Sequence, residues 1–274
     1  MRIGGSDRRS PQCLPTGMRE DGPLTAASLI PHGEPPRYFT FPSLTAVGVP
    51  QATTTRHCAG IGPSGGAQSP FGRAVVEVLA PAGLDLERAA WARQVHGADV
   101  ARVEGGGFAG HADVLVTTSR RVPLAIFTAD CLAIVLVDVT APALAVAHVG
   151  WRGTVRGTTQ AAVSAVIAAG ARAERLRAAI SPSIGPCCYE VDAPVIEAFS
   201  SAYPDRWHAW IAPAGDASHV MLDLWTANAS LLAQSGVDPS RVESPRLCTA
   251  CHVDTLYSYR KGHKGRLATI AAIP

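Results

Sequence analysis

Leu132-Ala-Ile-Val-Leu-Val-Asp138 and, after a short gap, Ala143-Leu-Ala-Val-Ala147 are two continuous apolar runs in the middle of the chain. Apolar runs of this length, without alternation between apolar and polar side chains, are typical of strands buried on both faces. We therefore predict two such strands here. The rest of the secondary structure is predicted outward from them.

Further short apolar runs with strand character lie on both sides of this central pair. They are Ala46 to Arg56, Ala92–Val95, Val100–Val103, Asp113–Thr117, Pro123–Phe127, Arg177–Ser181, Val220–Leu224, Arg241–Thr249, Ser258–Arg260 and Leu267–Ile273. Alanine-rich segments predict helices at Arg73 to Ala80, Asp85 to Trp91, Thr154 to Ala169, Asp192 to Tyr203 and Trp225 to Gln234. Strands in runs and helices in separate blocks favour a single α+β domain with mixed β-sheets over a doubly wound fold.

The first part of the chain differs in composition from the remainder. Residues 1–42 contain seven prolines and no sustained apolar periodicity. Such composition is typical of segments without regular structure. We therefore predict a proline-rich, disordered tail over residues 1–42 and one catalytic domain over residues 43–274.

Charge and composition exclude several classes of protein. The 274 residues carry a formal net charge of +2, with 17% charged and 47% hydrophobic side chains. This balance argues against disorder of the whole chain and gives no positive surface for nucleic acid. Signal peptides and membrane spans are not predicted, because the longest apolar stretch is interrupted by Asp130 and closed by Asp138. We expect a cytoplasmic protein that binds neither nucleic acid nor membrane.

The seven cysteines suggest reduced thiols rather than a disulfide framework. The string Cys248-Thr-Ala-Cys251-His252 matches a c-type haem attachment sequence, but that use requires export. A zinc site there would need a second pair of ligands. The adjacent Cys187 and Cys188 could both reach one ion only through a special turn. We therefore favour buried thiols that pack a loop against the core.

A different group of residues has the chemistry of a catalytic metal site. His96, Cys131 and His148 each lie at the end or the start of a predicted strand. Two imidazoles and a thiolate can hold zinc and leave the fourth position open for water or substrate. Asp99 and Asp130 are near enough in sequence to orient the ligands. A buried free cysteine with two hydrogen-bonded histidines is the alternative interpretation.

Copper is a less favourable metal for this chain. Multicopper clusters use many imidazole ligands, typically in His-x-His pairs. The nine histidines of this sequence never stand two residues apart. A trinuclear copper cluster is therefore not expected within one chain.

Single arginines supply candidate anion contacts. Arg152 lies in Gly150-Trp-Arg-Gly153, which leads into a predicted helix whose N–H groups could help to bind an anion. A tight strand-to-helix turn explains the same sequence without a ligand. Arg56 follows a threonine run, and Arg260 ends Tyr257-Ser-Tyr-Arg260.

Taken together, eight strings in one order resemble the bacterial YfiH-like family, also called the polyphenol-oxidase or laccase-domain family. They are Thr54-Thr-Arg56, Arg93-Gln-Val-His-Gly97, Ala112-Asp-Val-Leu-Val-Thr117, Thr128-Ala-Asp-Cys131, His148-Val-Gly-Trp-Arg-Gly153, Ile184-Gly-Pro-Cys-Cys-Tyr-Glu-Val191, Cys248-Thr249 and Tyr257-Ser-Tyr-Arg260. The resemblance implies a four-layer α/β/β/α domain and a mononuclear zinc site. It also implies purine nucleoside phosphorylase activity on adenosine, inosine, guanosine and methylthioadenosine, with adenosine deaminase activity beside it.

Transferred by motif, the resemblance makes His96, Cys131 and His148 the zinc ligands, with Cys131 and His148 also catalytic. Arg56 falls where the family has an arginine at the nucleoside pocket, and Gln94 and Arg152 are further substrate-binding candidates. The partners are then purine nucleosides and phosphate, and the protein is expected to be a monomer or a weak homo-oligomer. Two rival functions remain: an amidase or deamidase using Cys131 as nucleophile and His148 as base, and a copper-dependent polyphenol oxidase.

Overall fold

The computed structural model describes residues 29–274. Its strands are β1 Ile30–His32, β2 Tyr38–Thr40, β3 Gln51–Thr54, β4 Ala90–Arg93, β5 Val100–Arg102, β6 Gly107–His111, β7 Val114–Thr117, β8 Leu124–Thr128, β9 Leu132–Asp138, β10 Ala143–Val149, β11 Arg177–Ile180, β12 Glu190–Val191, β13 Ile211–Pro213, β14 Val220–Leu222, β15 Val242–Glu243 and β16 Leu267–Ala271. Its α-helices are α1 Pro42–Thr45, α2 Arg73–Leu79, α3 Trp151–Val155, α4 Thr158–Ala168, α5 Ala193–Ala202 and α6 Leu224–Gln234. Short 3-10 turns cover Ala80–Ala82, Leu86–Arg88, Ala173–Arg175, Trp207–Trp210 and Pro239–Arg241.

Within the described residues the strands form three sheets, and the two larger ones are mixed. Sheet I has the order β1-β2-β3-β16-β8-β4-β6, sheet II the order β15-β11-β9-β10-β7-β5, and sheet III the order β12-β14-β13. The predicted central strands are β9 and β10, which pair antiparallel from Leu132↔Val149 to Asp138↔Ala143. Both are buried along their whole length.

Alternation of side chains along these strands explains their continuous apolar sequence. Ala143, Ala145 and Ala147 of β10 pack in the core that sheet II shares with helices. Leu144 and Val146, on the opposite face, pack in the core between sheets I and II. Successive side chains of a strand point to opposite faces. A strand with a buried core on each side is therefore apolar along most of its length, and the polar residues Asp138 and His148 lie near the strand ends.

Helices cover the outer faces of both sheets. Residues of α4, α5 and α6 join the outer core of sheet II. On the outer face of sheet I, Val75 and Leu79 of α2 pack with Trp91, Phe127 and Ile270. The layers are thus helix, sheet, sheet and helix, which confirms the predicted α+β domain with mixed sheets.

Two predicted helices differ from the structure. The segment Asp85 to Trp91 forms only the 3-10 turn Leu86–Arg88, after which Ala90–Arg93 becomes strand β4. Pairing of β4 with β6 and β8 buries Ala90 and Trp91 and outweighs the local helical preference. The predicted helix Thr154 to Ala169 is divided into α3 and α4 by Gly157, whose φ of 79° is left-handed.

The boundary of the predicted tail also differs. Strand β1 pairs with β2, and β2 pairs with β3, so residues 30–40 form one edge of sheet I. Tyr38 and Phe39 of β2 are buried, and Phe39 packs with Leu256 and Leu267. Sequence-local periodicity missed these strands because each has three residues. The predicted tail is thus wrong for this part, while residues 1–28 lie outside the described residues.

No helix among residues 29–274 is long and apolar enough to span a membrane.

Candidate metal centre and active site

The strand registers of sheet II bring separate parts of the sequence to one end of the sheet. The pair Leu132↔Val149 lies at one end of the β9–β10 ladder. Cys131, just before β9, and Gly150, just after β10, therefore lie at this same end. The pair Val114↔Ala147 places Asp113 beside His148 in the same way. The backbone N–H of His148 donates to the carbonyl of Asp113 at 2.7 Å. Antiparallel pairing therefore assembles this corner without local sequence contacts.

His96 reaches the same corner from sheet I, on the loop that follows β4. Its backbone φ is 58°, in the left-handed region that few residues other than glycine adopt. The carboxylate of Asp113 holds this loop by accepting backbone N–H bonds from Val95, His96 and Gly97 at 3.1, 3.0 and 2.7 Å. Non-glycine residues in this conformation persist where surrounding contacts fix them, and such positions cluster at functional sites.

Side chains from the α3–α4 region fix the other side of this loop. Arg156 donates to the carbonyl of His96 at 2.7 Å, and Thr158 Oγ1 donates to the carbonyl of Gly97 at 2.5 Å. The N–H groups and the carbonyls of the loop are therefore both bonded. This double attachment holds His96 toward the end of sheet II.

Asp113 also orients the His148 ring. His148 Nδ1–H donates to Asp113 Oδ1 at 2.7 Å, and both side chains are buried. This bond leaves Nε2 as the nitrogen available for a ligand. A carboxylate behind a ligating histidine is the usual arrangement in metal sites. From the sequence, Asp99 and Asp130 were predicted to orient the ligands. In the structure, Asp113 orients the His148 ring instead.

The three predicted ligands converge. Donor atoms of His96, Cys131 and His148 all lie within 4.8 Å of one another. The two imidazole rings are 4.8 Å apart and nearly perpendicular, at 80°. A Cβ at Gly150 would lie 2.7 Å from Cys131 Sγ, so only glycine leaves space on that side. Converging donors with a glycine wall are suited to one metal ion with an open position.

The charges of this corner favour a thiolate. Burial raises the pKa of Cys131, but hydrogen bonds and charge interactions with His148 and His96 outweigh it and lower the pKa to about 6. Burial lowers the pKa of His148, whereas hydrogen bonds to Asp113 and Cys131 raise it to about 9. Near neutral pH the sulfur is therefore deprotonated, which is the state that binds metals.

Three of the predicted substrate contacts have clear positions in the structure. Gln94 pairs with the backbone of Phe127: its amide donates to the carbonyl at 2.7 Å and accepts from the N–H at 2.8 Å. Both ends of that amide are used, so Gln94 positions the His96 loop. Arg56 donates to the carbonyl of Val253 and lies over the Tyr257 ring at 5.6 Å. Arg152 is exposed and stacks on Trp151 at 4.2 Å.

Tyr189 and Arg260 are functional candidates at the mouth of the site. Burial raises the pKa of Tyr189, negative charge at Cys131 raises it further, and the guanidinium groups of Arg260 and Arg152 lower it. Tyr189 is therefore near the Cys131 sulfur, and the Arg260 guanidinium lies over the Tyr189 ring at 5.3 Å. From the sequence, Arg260 was noted only as a single arginine, and no pattern indicated a functional role for Tyr189.

Asp130 connects the loops that form this mouth. Its carboxylate accepts from Thr249 Oγ1 at 2.5 Å, from Ser258 Oγ at 3.1 Å and from the N–H of Arg260 at 2.7 Å. Its own φ of 84° is left-handed, directly before Cys131. Asp130 therefore positions the substrate side of the site rather than a metal-ligating ring.

Residues 73–274 match the sequence family described as multi-copper polyphenol oxidoreductase laccase. The chain belongs to this family. The match confirms the resemblance to the laccase-domain family, and its range includes His96, Cys131 and His148. All nine histidines lie within the described residues. Among those residues, clusters of three or more metal-ligating side chains contain at most two histidines.

Relatives of this laccase-family chain carry purine nucleoside names. The purine nucleoside phosphorylase of Deinococcus radiodurans is 36% identical over 238 residues, covering 82% of this chain and 90% of that protein. A protein named adenosine deaminase RL5, from an unknown prokaryotic organism, is 34% identical over 190 residues, covering 65% and 72%. The crystal structure of Bacillus licheniformis YfiH, at 23% identity, superposes with a TM-score of 0.76 over 87% of this chain and 97% of that chain, which confirms the fold.

Proposed function

We propose that this chain is a zinc-dependent purine nucleoside phosphorylase with adenosine deaminase activity at the same site. The proposed substrates are adenosine, inosine, guanosine and methylthioadenosine, with phosphate. The observation that carries the proposal is the convergence of His96, Cys131 and His148 within 4.8 Å. The names of the relatives support the substrate class.

Zinc fits the donor set better than copper. One thiolate and two imidazoles are zinc ligands, and three protein ligands leave the open position of a catalytic site. Copper clusters of oxidases need more imidazoles than this corner contains. Zinc bound here would supply a Lewis acid and a water molecule of lowered pKa. The Asp113–His148 bond supports this assignment because it fixes the tautomer that a ligating ring requires.

The positive charges of the arginine side chains at the mouth support phosphorolysis. The guanidinium groups of Arg152 and Arg260 can hold phosphate below C1′ of the nucleoside, since arginine binds phosphate oxygens in pairs. Phosphate then attacks C1′ as the bond to the purine breaks, and positive charge develops on the sugar. Positioning and charge stabilisation supply most of the rate in such a reaction. Arg56, which lies over the Tyr257 ring at 5.6 Å, is the proposed further contact to the nucleoside.

Deamination needs a different group at the same place. Replacement of the C6 amine of adenosine by oxygen requires an activated water and a proton for the leaving ammonia. Tyr189 keeps its proton at neutral pH because burial raises its pKa, so it can donate a hydrogen bond to the base. The relative named adenosine deaminase RL5 supports this second activity.

The test combines metal analysis with two assays. Zinc per chain is measured beside phosphate-dependent release of hypoxanthine from inosine and ammonia release from adenosine. We expect the Cys131→Ser variant to lose the zinc ion of this site and both activities, because serine supplies no alkoxide near neutral pH. Cys58→Ser is the matched control, since Cys58 is a buried free cysteine that is outside the metal clusters.

The same variant separates the rival functions. A Cys131→Ser protein that binds as much zinc per chain as the unsubstituted protein but loses activity would make Cys131 a nucleophile and favour the amidase. A protein that keeps zinc and both activities would show that the proposed site is wrong. Oxidation of phenols that depends on added copper, without base release, would favour the polyphenol oxidase.

A further inference from the structure

Four cysteines form a second cluster on two loops beside the active-site mouth. Donor atoms of Cys187, Cys188, Cys248 and Cys251 all lie within 4.8 Å of one another. Cys251 Sγ is 3.5 Å from Cys187 Sγ and 3.4 Å from Cys188 Sγ. The adjacent pair does therefore reach one point, which the sequence-based interpretation allowed only through a special turn.

A tight turn makes this possible. The N–H groups of Cys188 and Tyr189 both donate to the carbonyl of Gly185 at 2.9 Å. A Cβ at Gly185 would lie 2.3 Å from the Trp225 ring, so the turn is pressed directly against α6. This compact turn directs two successive thiols to the same side.

Cys248 has the surroundings of a metal-bound thiolate. It is fully buried, and the N–H of Gly185 donates to its Sγ at 3.3 Å. Backbone N–H groups of Ala250 and Cys251 also hydrogen-bond to this sulfur. Such bonds stabilise negative charge on sulfur, as charge-assisted bonds do for other anions. On the surface side, the Lys261 ammonium is close enough to interact with Cys188.

We propose that Cys187, Cys188 and Cys248 bind one Zn²⁺ ion through three thiolates, separately from the ion at His96, Cys131 and His148. These three are free thiols in the structure. Zinc–sulfur bonds of about 2.3 Å place tetrahedral ligand sulfurs about 3.8 Å apart, a spacing compatible with the cluster. Each S–H proton leaves to solvent as its Zn–S bond forms, and no oxidant or reductant is needed.

The position of this ion gives it a structural task. It joins the loop that carries Tyr189 to the loop that carries Arg260, both at the mouth. Thr249, next to Cys248, donates to Asp130, and the carbonyl of Cys188 accepts from Arg260 at 3.4 Å. The ion would therefore fix the substrate side of the active site without taking part in the reaction.

The experiment removes the first site and counts what remains. The full chain carrying His96→Ala and Cys131→Ser is purified in a phosphine reductant, and Zn²⁺ is titrated against a chromophoric chelator. Co²⁺ is then substituted, and thiolate-to-cobalt charge-transfer absorption is recorded. We expect one bound Zn²⁺ per chain and strong thiolate bands. Adding Cys188→Ser and Cys248→Ser should abolish both, and adding Cys58→Ser should change neither.

Failure has a distinct result. A His96→Ala/Cys131→Ser chain that is folded by circular dichroism and binds no Zn²⁺, or binds Co²⁺ without thiolate bands, overturns the proposal. If Cys248→Ser prevents folding, Cys187→Ser and Cys188→Ser replace it, because these thiols are only partly buried. Binding that survives both of these substitutions also overturns it. The measurement does not use activity, so it is independent of the proposed function.

Discussion

Asp113 and His148 are joined by two hydrogen bonds of equal length. The His148 N–H donates to the Asp113 carbonyl at 2.7 Å, and Nδ1–H donates to the Asp113 carboxylate at 2.7 Å. The same carboxylate holds three N–H groups of the loop that carries His96. One buried aspartate therefore fixes two of the three proposed metal ligands.

Asp113→Asn should weaken zinc binding by about 10- to 100-fold, the usual effect of losing a residue that orients a ligating histidine. The asparagine amide has one accepting oxygen, whereas both carboxylate oxygens of Asp113 accept hydrogen bonds. The bonds to His148 and to the His96 loop would therefore compete for that oxygen. Chelator competition measures the affinity. Asp99→Asn is the matched control, because the described contacts of Asp99 use its backbone carbonyl. Equal affinity in the two variants would contradict the role given to Asp113.

Gly150→Ala should displace Cys131 and remove most of the zinc bound at His96, Cys131 and His148, while leaving the fold intact. The new Cβ would lie 2.7 Å from Sγ, and the φ of −94° at Gly150 is ordinary, so the effect is steric alone. Overpacking of this kind costs about 1–3 kcal/mol of stability. Zinc content and urea unfolding are measured together. Gly105→Ala, with no atom within 4 Å, should change neither.

In the metal-free protein, alkylation of Cys131 by iodoacetamide should be half-maximal near pH 6. Its pKa is lowered to about 6, so the thiolate forms above that pH and is lost below it. Burial raises the pKa of Cys58 to about 11, against a lowering by Arg37. The pH of half-maximal rate for Cys58 should therefore be far higher. Bound zinc should protect Cys131, and a half-maximal pH near 9 would contradict the proposed interactions.

Phe39→Ala should destabilise the protein by about 3 kcal/mol, as is usual for a buried phenylalanine. Its side chain packs with Leu256 and Leu267 under the edge of sheet I. Ile30→Ala, at an exposed residue of the same edge, should cost much less. The free energies of unfolding of the two variants are measured in urea and compared. A small loss of stability for Phe39→Ala would indicate that residues 29–42 belong to the tail, as the sequence predicted.

Arg152→Ala should raise the KM for phosphate by about 10- to 100-fold, the size of one or two charge-assisted hydrogen bonds. Deamination of adenosine uses no phosphate and should change less. Arg73→Ala, which removes an exposed arginine paired with Glu77, is the control. Equal losses in both reactions would mean that Arg152 shapes the turn after Gly150 instead.

The sequence was sufficient for the centre of the fold and for the three residues that converge at the end of sheet II. Strands β9 and β10 are apolar at every position except Asp138 and His148 near their ends, so the pattern of apolar residues along the sequence was enough to find them. His96, Cys131 and His148 were found by residue chemistry and by motif. Asp113 was missed because nothing in the sequence indicates which strands will pair. Its contact with His148 depends on the β7–β10 register, which is a property of the assembled sheet.

Local preference also failed where long-range pairing decides the conformation. Ala90 favours helix, but pairing of β4 with β8 in sheet I and burial of the Ala90 and Trp91 side chains select the strand. The convergence of Cys187 and Cys188 depends on the turn at Gly185, which packs against Trp225. That ring comes from a distant helix, so the turn cannot be inferred from the cysteines themselves.

The strand registers that assemble the corner also determine when, during folding, the proposed metal site can form. Asp113, Cys131 and His148 become neighbours only after β7, β9 and β10 have paired. A nascent chain therefore offers no preassembled pocket to cellular metals, and loading follows folding.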